Sequence, residues 1–252
     1  MPSTNHLAPA DFEKLRRLDT CTVSNAIERF NVRPRNEGFM YRSIRCRFPH
    51  LPPMAGYAVP ARIRSTTPPA TAPPITRGCY YDRMDFWRYV TTVPAPRVIV
   101  LQDADRSPGF GAFVGEIHAQ IAKALHCAGC VTNGAVRDLP AVEAAGFQMF
   151  SANLSVSHAY AHIVEFGEPV EIGGLKIHAG DLLHGDRHGV LQVPLSIAAE
   201  IPQMAAALVA QERELIAFCE SPGLTLDGLA AQLRRITESH RDVHSDGSPD
   251  CA

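Results

Sequence analysis

The chain has 252 residues, 46% hydrophobic and 20% charged, with a formal net charge of −2, proportions ordinary for a globular protein large enough to bury a substantial core. That balance carries no basic stripe, so no nucleic-acid partner is expected. No apolar run reaches the length of a membrane span, and MPSTNHLAPADFEKLRRL lacks an apolar signal core, so a cytoplasmic protein without a membrane partner is expected.

Taken in chain order, the pattern is mixed α/β. Residues 11–18 and 22–30 read as short helices, the second capped near Thr20 or Thr22, and GYAVPARIRS (56–65) reads as a strand. A Pro-rich passage over 49–74 is expected to run as a loop, because proline restricts its predecessor and removes ladder donors. RMDFWRYVTTV then predicts a helix, RVIVLQD (97–103) a strand, ADRSPGFG a loop and AFVGEIHAQIAKALH a second helix.

The next strand is short, Cys130-Val131-Thr132. It is expected to turn at Asn133-Gly134 and to enter an amphipathic helix near Pro140, with Arg137 and Asp138 between the two. Beyond Phe147 the segments FQMFSANLSV, HIVEFG, PVEIGGLKI, DLLHGD and GVLQVP read as strands, with Gly173-Gly174 as a hairpin turn. Helices are predicted over 196–219 and about 224–239. The expected organisation is one domain over 1–240 and a disordered polar tail over 241–252.

Several local patterns compete for a functional reading. The order strand, glycine loop, helix looks like a dinucleotide-binding unit, but Gly109, Gly111 and Gly115 are spaced one residue too wide for the fingerprint. What survives is the tendency of backbone N–H groups at a helix start to hold an anion. Seven cysteines show no disulfide framework, and the Cys127-x-x-Cys130 pair has no second pair to complete a zinc site. His158 and His162 in HAYAH lack the glutamate of a zinc-protease helix, and His184, Asp186 and His188 in HGDRHG fit a hairpin turn stabilised by Asp186. No Gly-x-Ser-x-Gly is present. The adjacent Arg137 and Asp138 are either a surface ion pair or a cation and an acid turned toward a ligand.

LDTCTVSNAIERF, MAGYAVPARIRS, the Gly115-Glu116 helix start, GAVRD and GDLLHGDRHGVLQVP occur in the order and approximate spacing of the RraA-like family, and the chain resembles it over most of residues 15–215. That family includes a regulator of ribonuclease activity and metal-dependent 4-hydroxy-4-methyl-2-oxoglutarate aldolases. The resemblance implies a layered β/β/α fold of the swivelling-domain type with C-terminal helices. It also implies a homotrimer or homohexamer with its cleft between subunits, to which Glu212 of a neighbour is a candidate contributor. Glu116, 22 residues before Asp138, stands where the aldolases carry aspartate.

Cleavage next to a 2-oxo acid leaves a pyruvate enolate, stabilised either by a lysine Schiff base or by a metal together with a cation. Only Lys14, Lys123 and Lys176 are lysines, and none has an apolar setting that would lower its pKa. A divalent Mg²⁺ or Mn²⁺ is therefore expected. Asp138 is the expected direct ligand, Glu116 the residue holding metal-bound water or supplying a second carboxylate contact, and Arg137 the cation on the keto oxygen. Gly115 and the N–H groups of Ile117 and His118 are expected to bind the substrate carboxylate. Retro-aldol cleavage of a 4-hydroxy-2-oxo diacid and oxaloacetate decarboxylation fit equally, and a non-catalytic regulator binding a ribonuclease is the alternative.

Overall fold

A computed structural model describes residues 6–41, 43–69 and 84–242, the last few without side-chain detail. Of the tail expected to be disordered over 241–252, residues 241 and 242 continue the last helix, and the rest, with residues 70–74 of the Pro-rich passage, lies outside the described residues. Four parallel strands form the middle of the sheet: β2 (Met54–Arg64), β3 (Arg97–Asp103), β5 (Cys127–Val136) and β6 (Gln148–Leu154). Helix α3 (Met84–Thr92) lies between β2 and β3. The short strand β4 (Ala112–Val114) and α4 (Glu116–Ala124) connect β3 to β5, and α5 (Leu139–Ala144) connects β5 to β6.

Antiparallel strands extend this centre. β1 (Arg45–Cys46) pairs with β6, β7 (His162–Phe166) with β2, and β10 (Leu182–Asp186) lies between β2 and β11 (Gly189–Val193), while β4 pairs with β5. The nine strands make one mixed sheet. A separate hairpin, β8 (Val170–Ile172) and β9 (Leu175–Ile177), turns at Gly173-Gly174, where φ values of +56° and +77° select glycine.

Side chains alternate along the strands and so divide the core in two. Ile99 and Leu101 of β3, with Tyr57, Val59, Ala61 and Ile63 of β2, face the helices α1 (Pro9–Leu15), α2 (Thr20–Arg29), α3, α4 and α6 (Ile201–Cys219). Val98 and Val100, with Ala58 and Val131, face the β8–β9 hairpin through Ile172, Leu175 and Ile177. The result is a hairpin layer, a sheet layer and a helix layer, the β/β/α arrangement expected. A last helix, α7 (Leu226–Asp242), packs against α6.

Four expectations about element boundaries need correction. The strand read over 56–65 runs over 54–64, Pro60 included, so the Pro-rich passage over 49–74 is not a continuous loop. Pro60 is tolerated because its carbonyl still accepts from Gly167 N and only its missing N–H is lost. Residues 112–114 form strand β4 rather than the first turn of a helix, and α4 begins at Glu116. β5 continues to Val136, absorbing Asn133-Gly134 as a register shift between Thr132 and Ala135 rather than as a turn. The cap of α2 is Asp19, one residue before Thr20, with Oδ1 accepting from Thr22 N at 2.9 Å.

The two cysteines of Cys127-x-x-Cys130 are free buried thiols on β5. Burial pushes the Cys127 thiol up to about 12 and that of Cys130 higher still, which leaves both inert as nucleophiles. His158 and His162 lie on a turn and a strand, not on one helix face, and each Nδ1 meets a backbone carbonyl, of Ala159 at 3.0 Å and Tyr160 at 2.7 Å.

The β10–β11 hairpin locks the N-terminal helices to the sheet. Asp186 accepts from Thr20 N at 2.9 Å and from His188 N at 2.8 Å. His184 is fully buried, with Nδ1 3.1 Å from Thr20 Oγ1 and Nε2 3.2 Å from the Leu15 carbonyl. The carbonyl can only accept, so Nε2 carries the proton and Nδ1 accepts from the threonine hydroxyl. Burial depresses the His184 pKa to about 4.

Because the folded pKa lies below the ordinary value of 6.5, the unfolded chain binds the proton first, and stability falls as pH drops from about 6.5 to about 4. His184→Asn should cost roughly 1–3 kcal/mol at neutral pH through unpaired buried groups, yet melt with a shallower pH dependence across that window. Parallel slopes in thermal melts of the two proteins would remove His184 from the acid response.

Candidate functional site

The site forms at the carboxyl ends of β4 and β5, where adjacent parallel strands deliver their following residues to one place, the usual position of ligand clefts in parallel sheets. β4 ends at Val114 and Gly115 opens α4. β5 ends at Val136, and Arg137 and Asp138 lead into α5. Arg137 N donates to Val114 O at 3.1 Å, which stitches the two strand ends together.

Asp138 has φ +56° and ψ +38°, a left-handed conformation at the residue preceding α5. Aspartate adopts it more readily than most side chains, at a cost of order 1 kcal/mol. This conformation turns the carboxylate back toward α4, where Oδ2 accepts from Glu116 N at 3.1 Å. Oδ1 accepts from Arg137 Nε at 3.1 Å. A Cβ on residue 115 would stand 2.4 Å from Asp138 Oδ2 and 2.9 Å from Arg137 Cγ. Glycine at 115 is thus what lets the carboxylate reach the helix start. The anion expected at this N-terminus is, in the structure, the protein's own.

A cleft of about 210 Å³ opens beside this pair and is lined by Gly115, Glu116, Ile117, His118, Arg137 and Asp138, with Ala112, Phe113, His158 and Ala161 completing the wall. Six residues expected at the site from the sequence therefore meet in one cavity. Arg137 and Asp138 are each about one-third exposed, Glu116 is exposed, and His118 is buried. His118 is stacked between Phe113, at 4.5 Å between ring centres, and Trp87 of α3, at 6.0 Å. Its ring therefore serves as packing beneath the cleft floor, while its backbone belongs to the first turn of α4.

Sequence reading missed three parts of this arrangement. His158 reaches the cleft from the loop after β6 because Ala112 N bonds Ser157 O at 3.0 Å. Asp103, at the end of β3, accepts from Gly109 N at 2.7 Å and from Asp105 N at 3.1 Å, and burial raises its pKa. Asp105 gathers the backbone N–H groups and hydroxyls of Ser65 and Thr66, bonds that hold its own carboxyl below the usual range. The glycine loop's amides are thus taken up within the protein, those of Asp105 and Gly109 by Asp103 and that of Gly111 by Ser65 Oγ. The alternation of Asp103 and Asp105 just past a strand was the available signal.

Glu212 lies elsewhere. It is on α6, in a second cleft with Asn25, Glu28 and Arg29 of α2 and with Arg35, so any contribution to an Arg137–Asp138 site would come from a different subunit. The three lysines also lie outside the cleft: Lys14 pairs with Asp11 at 2.9 Å, Lys123 with the Ala145 carbonyl, and Lys176 sits exposed on β9 opposite Glu171. Among the described residues no helix is long and apolar enough to cross a membrane.

The family pattern described as RraA-like, Aldolase/RraA, matches residues 20–192. The chain belongs to the RraA-like family. Among its relatives, a Halalkalibacterium halodurans protein named "Putative 4-hydroxy-4-methyl-2-oxoglutarate aldolase" is 33% identical over 95 residues, 37% of this chain and 45% of that protein. Protein DlpA of Legionella pneumophila is 27% identical over 142 residues, 55% of this chain and 22% of that protein. The matched segments thus span less than half the length of either curated relative.

Solved structures share the RraA-like fold. An uncharacterized protein from Pseudomonas syringae pv. tomato superposes with a TM-score of 0.65 at 24% identity, covering 92% of this chain and 95% of that one. Streptomyces coelicolor RraAS2, described as an unusual member of the RNase ES inhibitor RraA protein family, superposes with a TM-score of 0.61 at 20% identity, covering 84% and 97%.

The geometry predicts different outcomes for three substitutions at the junction. Asp138→Asn should fold and melt near the wild type, because asparagine tolerates the left-handed conformation and keeps an acceptor for Glu116 N. Asp138→Ala should lose on the order of 1 kcal/mol more, and Gly115→Ala roughly 1–3 kcal/mol by overpacking. Thermal melts of the three variants check the order, and equal melting of Asp138→Asn and Asp138→Ala would show that the backbone conformation carries no cost.

Proposed function

We propose that this RraA-like protein is a divalent-metal-dependent lyase acting on pyruvyl substrates, by retro-aldol cleavage of 4-hydroxy-2-oxo diacids or by decarboxylation of oxaloacetate. The observation that carries this reading is the convergence of a permanent cation, Arg137, and two carboxylates, Asp138 and Glu116, on one cleft that holds no lysine. A Schiff-base route lacks its amine there, because all three lysines are placed elsewhere.

The residues fit a hard cation. Asp138 and Glu116 offer oxygen donors, and the space beside Asp138 Oδ2 is one that a Cβ on residue 115 would fill, so the donor set suits Mg²⁺ or Mn²⁺ with water and substrate oxygens completing the shell. Asp138 would be the direct ligand and Glu116 the holder of coordinated water. When bound, the ion supplies Lewis acidity toward the 2-oxo acid.

The protein's own groups supply the rest. The first-turn amides of α4 at Ile117 and His118 receive the substrate carboxylate, favoured by the helix dipole. Arg137 is held by Nε on Asp138 Oδ1, and this pairing leaves its terminal nitrogens to bind the keto oxygen. In the retro-aldol direction Glu116 takes the proton from the 4-hydroxyl. The C3–C4 bond breaks, its electron pair moves onto the keto oxygen of the pyruvate fragment, and Arg137 stabilises that charge. A proton returned to C3 completes pyruvate. Oxaloacetate passes through the same enolate with loss of carbon dioxide and needs no base at the first step, so one site serves both reactions.

An apolar border supports a shared cleft. Phe110, Ile117, Leu154, Val156 and Tyr160 are all more than half exposed, Val156 almost wholly, and Leu154 and Val156 line a second hollow against Arg137 and Asp138. Exposed apolar residues beside a site suit burial by another subunit of a homotrimer or homohexamer. Sedimentation should give a trimer or larger, and Val156→Asp should dissociate it and lower turnover at dilute protein. A fully active monomer would exclude the shared cleft.

Chelator-treated protein should be inactive on oxaloacetate and on 4-hydroxy-4-methyl-2-oxoglutarate and recover with Mg²⁺ or Mn²⁺. Arg137→Lys should lower kcat by about a hundredfold or more, the usual loss of about 2.7–4 kcal/mol when one preorganised donor is removed. Asp138→Asn should abolish turnover without unfolding the protein. Activity after complete metal removal, or borohydride trapping of substrate on a lysine, would overturn the mechanism. Stoichiometric ribonuclease inhibition without lyase activity would transfer the assignment to a regulator.

A further inference from the structure

A second polar cluster lies where the N-terminus of α2 meets the β10–β11 turn. A carboxylate oxygen of Asp19, the sulfur of Cys21 and a ring nitrogen of His188 fall within 4.8 Å of one another, and all three residues are exposed. Asp19 and Cys21 share the first turn of α2, and His188 comes from the β10–β11 turn more than 160 residues later, so the tertiary fold brings the imidazole to the other two. From this geometry we propose a second metal site, for a Zn²⁺-class transition-metal ion, formed by Asp19, Cys21 and His188 and separate from the Arg137–Asp138 cleft.

The donor set selects the ion. Thiolate, imidazole and carboxylate together suit zinc or cobalt, whereas Mg²⁺ and Mn²⁺ prefer oxygen alone. Three protein ligands leave one position open. Cys21 and His188 also line a hollow of about 220 Å³ with Thr20, Ser24 and Met40, which gives that position access to water or a small ligand.

The support behind the ligands is already in place. His188 Nδ1 lies 3.0 Å from Asp186 Oδ1, the carboxylate–histidine pairing that fixes the tautomer and orientation of a metal-binding imidazole. Asp186 is itself buried and held by Thr20 N. Asp19 is fixed by Thr22 through N at 2.9 Å and Oγ1 at 2.6 Å, bonds that leave carboxylate lone pairs for a cation. Two of the three ligands are thus oriented by hydrogen bonds to neighbouring groups.

The same residues could be read as a Cys–His–Asp nucleophile, and electrostatics weigh against it. Partial burial, and then the charges of Asp19 and Asp186, push the Cys21 thiol above its ordinary value. An activated cysteine needs the opposite. A divalent cation among these groups reverses the balance, because it offsets the acids and stabilises the thiolate, so binding should release a proton and tighten as pH rises.

Titration of metal-free full-length protein with Co²⁺ tests the site. The expected result is a thiolate-to-cobalt charge-transfer absorption whose amplitude corresponds to one such site per chain, whatever Co²⁺ the Arg137–Asp138 cleft also takes; the band should be absent in Cys21→Ser and the affinity read from it at least tenfold weaker in His188→Ala. Asp138→Asn should keep the absorption, which separates this site from the proposed lyase centre. Zn²⁺ should displace the cobalt and raise the melting temperature by several degrees in the wild type but not in Cys21→Ser, whose metal-free melt should match the wild type. No charge-transfer band, a band that survives Cys21→Ser, or fast alkylation of Cys21 at neutral pH that Zn²⁺ does not slow would overturn the proposal.

Discussion

The contact between the Asp138 carboxylate and the Glu116 backbone N–H, permitted by Gly115, is the constraint on which the candidate site depends. It joins the ends of two parallel strands through one side chain, with Oδ2 on Glu116 N and Oδ1 on Arg137 Nε. Each partner is conditional on the others. The carboxylate reaches α4 because residue 138 is left-handed and because residue 115 has no Cβ. Strain of this kind persists where the surroundings over-determine it, and here β4, β5, α4 and α5 all converge on the same few residues.

In that geometry an ion pair and a pair facing a cleft are not exclusive. Arg137 and Asp138 do form an ion pair at 3.1 Å, partly exposed on the cleft. A contact of this exposure contributes little to stability by itself. Its use is orientation: one nitrogen of the guanidinium is committed to Asp138, so the rest of the fork has a fixed direction. In the proposed reaction, an arginine positioned in this way would be preorganised for charge that develops on a substrate oxygen.

The strands and most helices were legible because alternation and 3.6-residue periodicity report burial directly. β3 shows it plainly, with Val98 and Val100 on one core and Ile99 and Leu101 on the other. Asn133-Gly134 misled because turn chemistry and a bulge in a strand use the same residues, and only pairing with β4 and β6 distinguishes them. Residues 112–114 misled for a related reason: three apolar residues before a helix carry no period of their own. The cleft residues 115–118, 137 and 138 were reachable through spacing and resemblance. His158 was not, since its place depends on a loop returning across β4, and neither was the role of Asp103, whose partners are backbone amides that no side-chain pattern reveals.

The two polar clusters also differ in what the fold does for them. At the Arg137–Asp138 cleft, parallel strands bring hard oxygen donors and a cation to the border of an exposed apolar surface, an arrangement suited to a small anionic substrate and a hard ion. At the α2–β10–β11 junction, Asp186 ties Thr20 and His188 together and so decides where Asp19 and Cys21 stand relative to the imidazole. His184 reinforces the same junction from within by bridging Thr20 and Leu15. An ion bound there would clamp the N-terminal helices onto the sheet, so its effect should appear first in stability and only secondarily in turnover. The hairpin HGDRHG is thus structural on its buried side, through His184 and Asp186, and open to chemistry on its exposed side, through His188.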